Sequence, residues 1–223
     1  TRPPARDTEP ALSPDLELIH AANYADEADF QVHLDYAQAT GMHLDLCDVD
    51  GKNLLEIAVE RNSAAMVKAL LAHGAPLPTV GEDGFDLLMQ ASYAGNLEIV
   101  TALLTGGGMV ADAVDASGQT ALHYAVRSGS TDIIELLFDH GADGGALAFN
   151  IADAELTQMF GPHHGLVGEG IPPLSIAVAQ NDLRSVKLLL SQHPKIPSSM
   201  RNPLWVAIQG QNAPLLVELM DHC

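Results

Sequence analysis

The sequence predicts an all-α fold: a solenoid of about six stacked helix-turn-helix repeats carrying one inserted helix and loop. Three observations predict it. The stretch Asp115–Asp143, DASGQTALHYAVRSGSTDIIELLFDHGAD, reads as turn, short helix, tight turn, longer helix and loop. Thr120 suits a helix N-cap, Leu122, Ala125 and Val126 share one face, and Gly129 breaks the helix. Ile133, Ile134, Leu136 and Leu137 then form a second apolar stripe, and Gly141 stands where a left-handed C-cap ends the helix. The second observation is repetition: Gly51, Gly84 and Gly118 begin the same pattern 33 and 34 residues apart. The third is composition, 47% hydrophobic but only 4% aromatic. Thin helical layers stack closely on such small and medium aliphatic side chains. No single pair of short helices buries its own apolar face, so each needs the next.

Taken in order, residues 1–14 carry four prolines without apolar periodicity and read as a disordered lead-in. Residues 15–46 read as a degenerate N-terminal cap repeat. Leu16, Leu18, Ile19, Ala21 and Ala22 supply its short helix, and Phe30, Val32, Leu34 and Tyr36 the apolar positions of its second, which Gly41 ends. Asp26, Glu27, Asp29 and Asp35 make its outer face polar, as an end repeat requires. Three regular repeats fill 47–145, the middle one closing on a slack run, Gly106, Gly107 and Gly108.

Gly118 to Gly170 is 52 positions, so an insertion occupies 146–167. Leu147, Ile151, Leu156 and Phe160 line one face of a helix there, followed by the loop GPHHGLVGEG. The last two repeats fill 168–223. Proline at the start of the first helix after Pro172 costs no hydrogen bond, and the final repeat is a shortened cap whose second helix starts near Pro214.

TALHYA at 120–125 matches the T-P-L-H-x-A hexad of the ankyrin repeat family in all but one place, and DHGAD at 139–143 matches its second-helix ending. The chain resembles that family from about residue 15 to the end. The resemblance implies a concave recognition face made of turn tips and the outer sides of first helices. Aligned positions beside the turns are Val49, Asp50, Lys52, Glu82, Asp83, Phe85, Ala116, Ser117, Gln119, Glu169 and Ile171. On the first helices they are Glu60, Arg61, Tyr93, Arg127, Ser128, Gln180 and Gln209. Of these, Asp50, Lys52, Glu82, Asp83, Phe85, Tyr93, Gln119, Arg127, Ser128, Glu169 and Gln180 are the candidate protein-binding residues. His123 falls on the histidine of the hexad, where the resemblance implies bonds to neighbouring turns; Trp205 falls on the same place and is expected to be partly buried.

Formal net charge is −19, which disfavours a nucleic-acid backbone or an anionic membrane as partner. Between Ala69 and Leu183, Arg127 is the only Lys or Arg against fourteen Asp or Glu, so a basic protein partner is expected. Phe85 and Tyr93 supply aromatic anchors on that acidic stretch.

No phosphate loop, HExxH, CxxC or nucleophile elbow occurs, and no catalytic residues, cofactor or metal are expected. His73, His140, His193 and His222 recur at second-helix ends, where an imidazole meets free carbonyls and the negative end of the dipole. Cys47 and Cys223 lie several repeats apart, beyond disulfide reach, and are expected as free thiols. The chain starts at Thr1 and reads as a trimmed or processed protein, cytoplasmic or bacterial periplasmic, and its Ala- and Gly-rich, Lys-poor composition points to a bacterial source. The expected function is a non-catalytic protein-binding module, monomeric alone, serving as an inhibitor, immunity protein or adaptor. The alternative is an enzyme or metal-dependent protein using His163 and His164 in the insertion, with Glu169 or Asp153 beside them.

Overall fold

The computed structural model describes residues 13–149, 151–160, 170–192, 207–208 and 213–221. These form α1 (Pro14–Tyr24), α2 (Glu27–Thr40), α3 (Leu54–Glu60), α4 (Ala64–Ala72), α5 (Leu87–Ala94), α6 (Leu97–Thr105), α7 (Ala121–Ser128), α8 (Thr131–Asp139), α9 (Asp153–Phe160), α10 (Pro173–Ala179), α11 (Leu183–Gln192) and α12 (Ala213–Met220). The fold is all-α, built of stacked helix-turn-helix repeats. Extended pairing among the described residues is confined to two isolated antiparallel bridges, Cys47 with Asn53 and Ala148 with Ile171. The chain divides into two compact units, residues 1–79 with 98–109 and residues 80–97 with 110–223.

In the first unit, α1 packs on α2 and α3, and α4 on α2 and α3, so first helices meet first helices and second meet second. Each start is capped by its own sequence. Asp26 accepts the Asp29 N–H at 2.8 Å, and Ser63 accepts that of Met66 at 3.2 Å. Asn53 and Glu56 close a reciprocal capping box through bonds of 2.8 and 2.7 Å. Along α2 the buried side chains are Phe30, Leu34 and Ala37, a helical spacing, whereas Val32 is exposed and Tyr36 half-buried. The expectation that Val32 and Tyr36 face inward fails because it counts in steps of two. His73 Nδ1 donates to the Ala69 carbonyl at 2.7 Å, closing the end of α4.

Two further features of this unit differ from the sequence reading. Arg61, although exposed, is not a free surface side chain: its guanidinium donates to the carbonyls of Ala22 (2.7 Å) and Ala25 (2.6 Å), capping the C-terminal end of α1. The triple glycine is not slack. The N–H groups of Gly106 and Gly107 both reach the Ala102 carbonyl, at 2.8 and 3.2 Å. A Cβ on Gly107 would stand 2.7 Å from the Leu103 oxygen, and Gly108 holds φ +65°, so the run is a tight helix end.

In the second unit, α7 is flanked by α5 and α10 and covered by α8, while α11 packs on α8, α10 and α12. His123 ties two repeats together. Its Nδ1 accepts the Thr120 N–H at 3.0 Å, which fixes the neutral tautomer with a proton on Nε2, and Nε2 donates to the Ile171 carbonyl at 3.1 Å. The ring is fully buried, and burial pushes its pKa down to about 4.

Turn tips in this unit are joined backbone to backbone. The Ala116 N–H donates to the Asp83 carbonyl at 2.7 Å and the Phe149 N–H to the Ser117 carbonyl at 3.1 Å. Gly84, at φ +69°, makes the first approach possible, since a Cβ there would stand 2.9 Å from the Asp115 Cα.

The same pairing corrects the expected inserted helix. Leu147 and Ala148 run extended into the bridge with Ile171, so the helix begins only at Asp153 and Leu147 and Ile151 precede it. Ile151 and Leu156 are buried; the side chain of Phe160 lies outside the described residues. Outside them too fall the loop with His163, His164 and Glu169, and also His193, Trp205, Gln209, His222, Cys223 and the lead-in to Leu12. Cys47 is exposed and unbridged.

Candidate functional site

The second unit gathers most of the candidate residues around one side chain that sequence reasoning missed, Tyr124. It occupies the variable place of the hexad, so no pattern marks it. Its hydroxyl donates to Asp115 Oδ2 at 2.5 Å, and burial, reinforced by that carboxylate, holds its pKa far above the ordinary tyrosine value. Asp115 is itself fixed: Oδ1 accepts the N–H groups of Ser117 (2.8 Å) and Gln119 (2.9 Å), shaping the turn tip. The phenol therefore stays protonated, and the bond to Asp115 holds the ring in place.

Two exposed rings lean on that fixed one. Phe85 meets Tyr124 edge to face at 5.2 Å, and Tyr93 does so at 6.2 Å. Phe85 keeps 36% of its surface exposed and Tyr93 56%, although both have a packed neighbour. The Arg127 guanidinium lies 5.6 Å from the centroids of both tyrosines. Helical spacing places it there, since Arg127 is one turn beyond Tyr124 on α7.

Arg127 is held from two sides. Its Nη1 donates to Gln119 Oε1 at 3.3 Å and pairs closely with Glu155 Oε1 from the inserted α9. Gln180 of the following repeat donates to the Arg127 carbonyl at 2.8 Å. The structure thus brings together Phe85, Tyr93, Gln119, Arg127 and Gln180, with Asp83 at the adjoining tip through its backbone bond to Ala116. Gln119 is buried and so braces the cluster from within.

The other candidates sit elsewhere or serve locally. Ser128 spends its hydroxyl on the Ala125 carbonyl at 2.9 Å, at the end of α7. Glu82 is exposed at the tip beside Asp83. Asp50 and Lys52 belong to the first unit, where Lys52 Nζ pairs with Glu60 at 2.6 and 2.8 Å. Glu155 and Phe149 were missed. Glu155 lies 28 residues from Arg127 across an irregular insertion, and Phe149, 53% exposed, stands on the extended segment that had been read as helix.

No group of three or more metal-ligating side chains occurs among the described residues, and none of their helices is long and apolar enough to cross a membrane.

Residues 55–148 match a family model described as ankyrin repeats, three copies. A putative ankyrin repeat-containing protein of Treponema pallidum is 36% identical over 104 residues, which is 46% of this chain and 35% of that protein. An L-asparaginase of Dirofilaria immitis is 30% identical over 125 residues, 56% of this chain and 20% of that one. The chain therefore spans about a third or less of the length of these relatives. Among solved structures, the ankyrin repeat domain of Bcl-3 matches with a TM-score of 0.68 at 22% identity, covering 95% of this chain and 86% of that one. The matched stretch carries the hexad, the tip glycines Gly84 and Gly118 and the helix-end histidines His73 and His140, and residues 55–148 belong to the ankyrin repeat family.

Proposed function

We propose that the chain is a non-catalytic protein-binding module whose recognition surface lies in the second unit, around Phe85, Tyr93 and Arg127. One observation carries this reading. Two large aromatic side chains remain exposed although their orientation is already set by contact with the anchored Tyr124. Tyrosine is enriched among residues that dominate binding energy. Rings held in place before contact lose little freedom on binding. A free-standing hydrophobic side chain serves solubility poorly; an anchored, exposed pair suits a partner.

The net charge of −19 points to a basic partner, drawn in at low salt by a field of opposite sign. Nucleic acid and anionic membrane fit that field poorly. Acting on an enzyme, such a module would be an inhibitor or immunity protein; joining two proteins, an adaptor. The test uses the tagged chain as bait in lysate of its source cells. Phe85→Ala and Tyr93→Ala, combined with Glu82→Gln and Asp83→Asn, should abolish specific capture while circular dichroism stays unchanged. Undiminished capture by the folded variant refutes the reading.

A further inference from the structure

We infer that the inserted helix α9 belongs to the binding surface, where Glu155 neutralises Arg127 so that the anchored aromatic pair seats an arginine- or lysine-bearing segment of the partner protein. This rests on the reading just given and names the chemistry its surface accepts.

Taken alone, Arg127 argues the other way. A guanidinium beside the exposed ring of Tyr93 would repel a basic segment and attract an acidic one. The structure disposes of that charge on the spot. Glu155 pairs with Nη1, both side chains are largely shielded, at 20% and 28% exposed, and Gln119 takes a further bond from the same nitrogen. Shielding strengthens the pair relative to one in open water. What remains unneutralised nearby is acidic: Asp115 beneath Tyr124, and Glu82 and Asp83 at the tip that carries Phe85. An incoming cation then meets exposed aromatic rings in a field of net negative sign, a combination that favours cations over anions. Without α9 the exposed ring of Tyr93 would stand beside an unpaired positive charge.

Glu155 is therefore a positioning residue, and its role separates from mere scaffolding. The probe is a short capped peptide of alternating arginine and glycine, measured by calorimetry at low salt and again at high salt. Glu155→Gln should weaken binding about tenfold at low salt, with the difference fading as salt screens it. Glu135→Gln on exposed α8 makes the same change in net charge and should alter binding less than about twofold. Adding Arg127→Gln to Glu155→Gln should restore most of the loss. Equal effects of the two single substitutions overturn the inference, as does a loss in Glu155→Gln that salt leaves unchanged or that Arg127→Gln leaves unrescued. Phe85→Ala with Tyr93→Ala keeps the two levels apart. If that pair abolishes binding while Glu155→Gln is silent, α9 has no part but the surface stands; if neither matters, the surface itself is wrong.

Discussion

Acid should unfasten the repeats at His123, and the size of the effect follows from its surroundings. The ring is fully buried, accepts the Thr120 N–H on Nδ1 and donates from Nε2 to Ile171. Protonation would put a second N–H where the backbone N–H already points, inside a fully buried site. Burial accordingly lowers the folded-state pKa from 6.5 to about 4. The sign follows: the unfolded chain takes up a proton at a higher pH than the folded one, so stability is complete above about 6.5 and declines as pH falls through about 4. A gap of roughly 2.5 units amounts to about 3 kcal/mol across that window.

His123→Gln provides the comparison. Its amide oxygen is able to accept the same Thr120 N–H at the third helical position, and it does not titrate. Urea denaturation followed by circular dichroism at pH 7, 5.5 and 4 gives two profiles. Subtracting one from the other removes every shared group, including Asp86, which burial shifts upward and which works in the opposite direction. The difference should grow by about 3 kcal/mol in favour of glutamine as pH falls from 7 to 4. Parallel profiles would refute the reasoning, because a histidine exposed to water or already charged in the native state contributes no such divergence.

Three further outcomes follow from the contacts. Gly84→Ala meets both a positive φ and the Asp115 backbone at 2.9 Å, and should destabilise by about 3 kcal/mol in urea melts. Arg61→Ala uncovers the carbonyls at the end of α1 and should cost about 1–2 kcal/mol. Arg61→Lys should recover only part of it, since an ammonium does not span two carbonyls as a planar fork does. Lys52→Ala removes an ion pair that stands in open water and should leave the melting temperature unchanged within error.

What was legible in the sequence was what is decided within a few residues. Tip glycines announce themselves because few other residues hold positive φ, and Gly51, Gly84 and Gly118 all do. The helix-end reading of His73 and His140 needed only the carbonyl four residues back. The aromatic candidates Phe85 and Tyr93 were found because large rings on a polar stretch stand out. Their organiser was not, because Tyr124 fills a place that the repeat leaves variable and draws its meaning from Asp115 and Arg127. The capping role of exposed Arg61 was hidden because its partners lie 36 and 39 residues upstream. Glu155 was hidden for a related reason: an insertion breaks the period, and with it the register by which one repeat predicts what the next will face.

The register also shows that one place in the repeat trades two duties against each other. The place held by His123 is held by Glu56 in one repeat and by Ser175 in another. Glu56 turns back on its own helix, closing the capping box with Asn53. His123 is long enough, with two ring nitrogens, to serve its own cap and also to grip Ile171 in the next repeat. The hydroxyl of Ser175 is buried and finds no partner among the described residues. A buried unpaired hydroxyl costs about 1–3 kcal/mol relative to a paired one. In a fold whose stability is a sum of units and the interfaces between them, such differences at a single position grade the cohesion of the array along its length. The His123 to Ile171 fastening lies in the repeat whose first helix also carries Tyr124 and Arg127. Rigidity is thereby concentrated under the rings, where an anchored surface gains most from it.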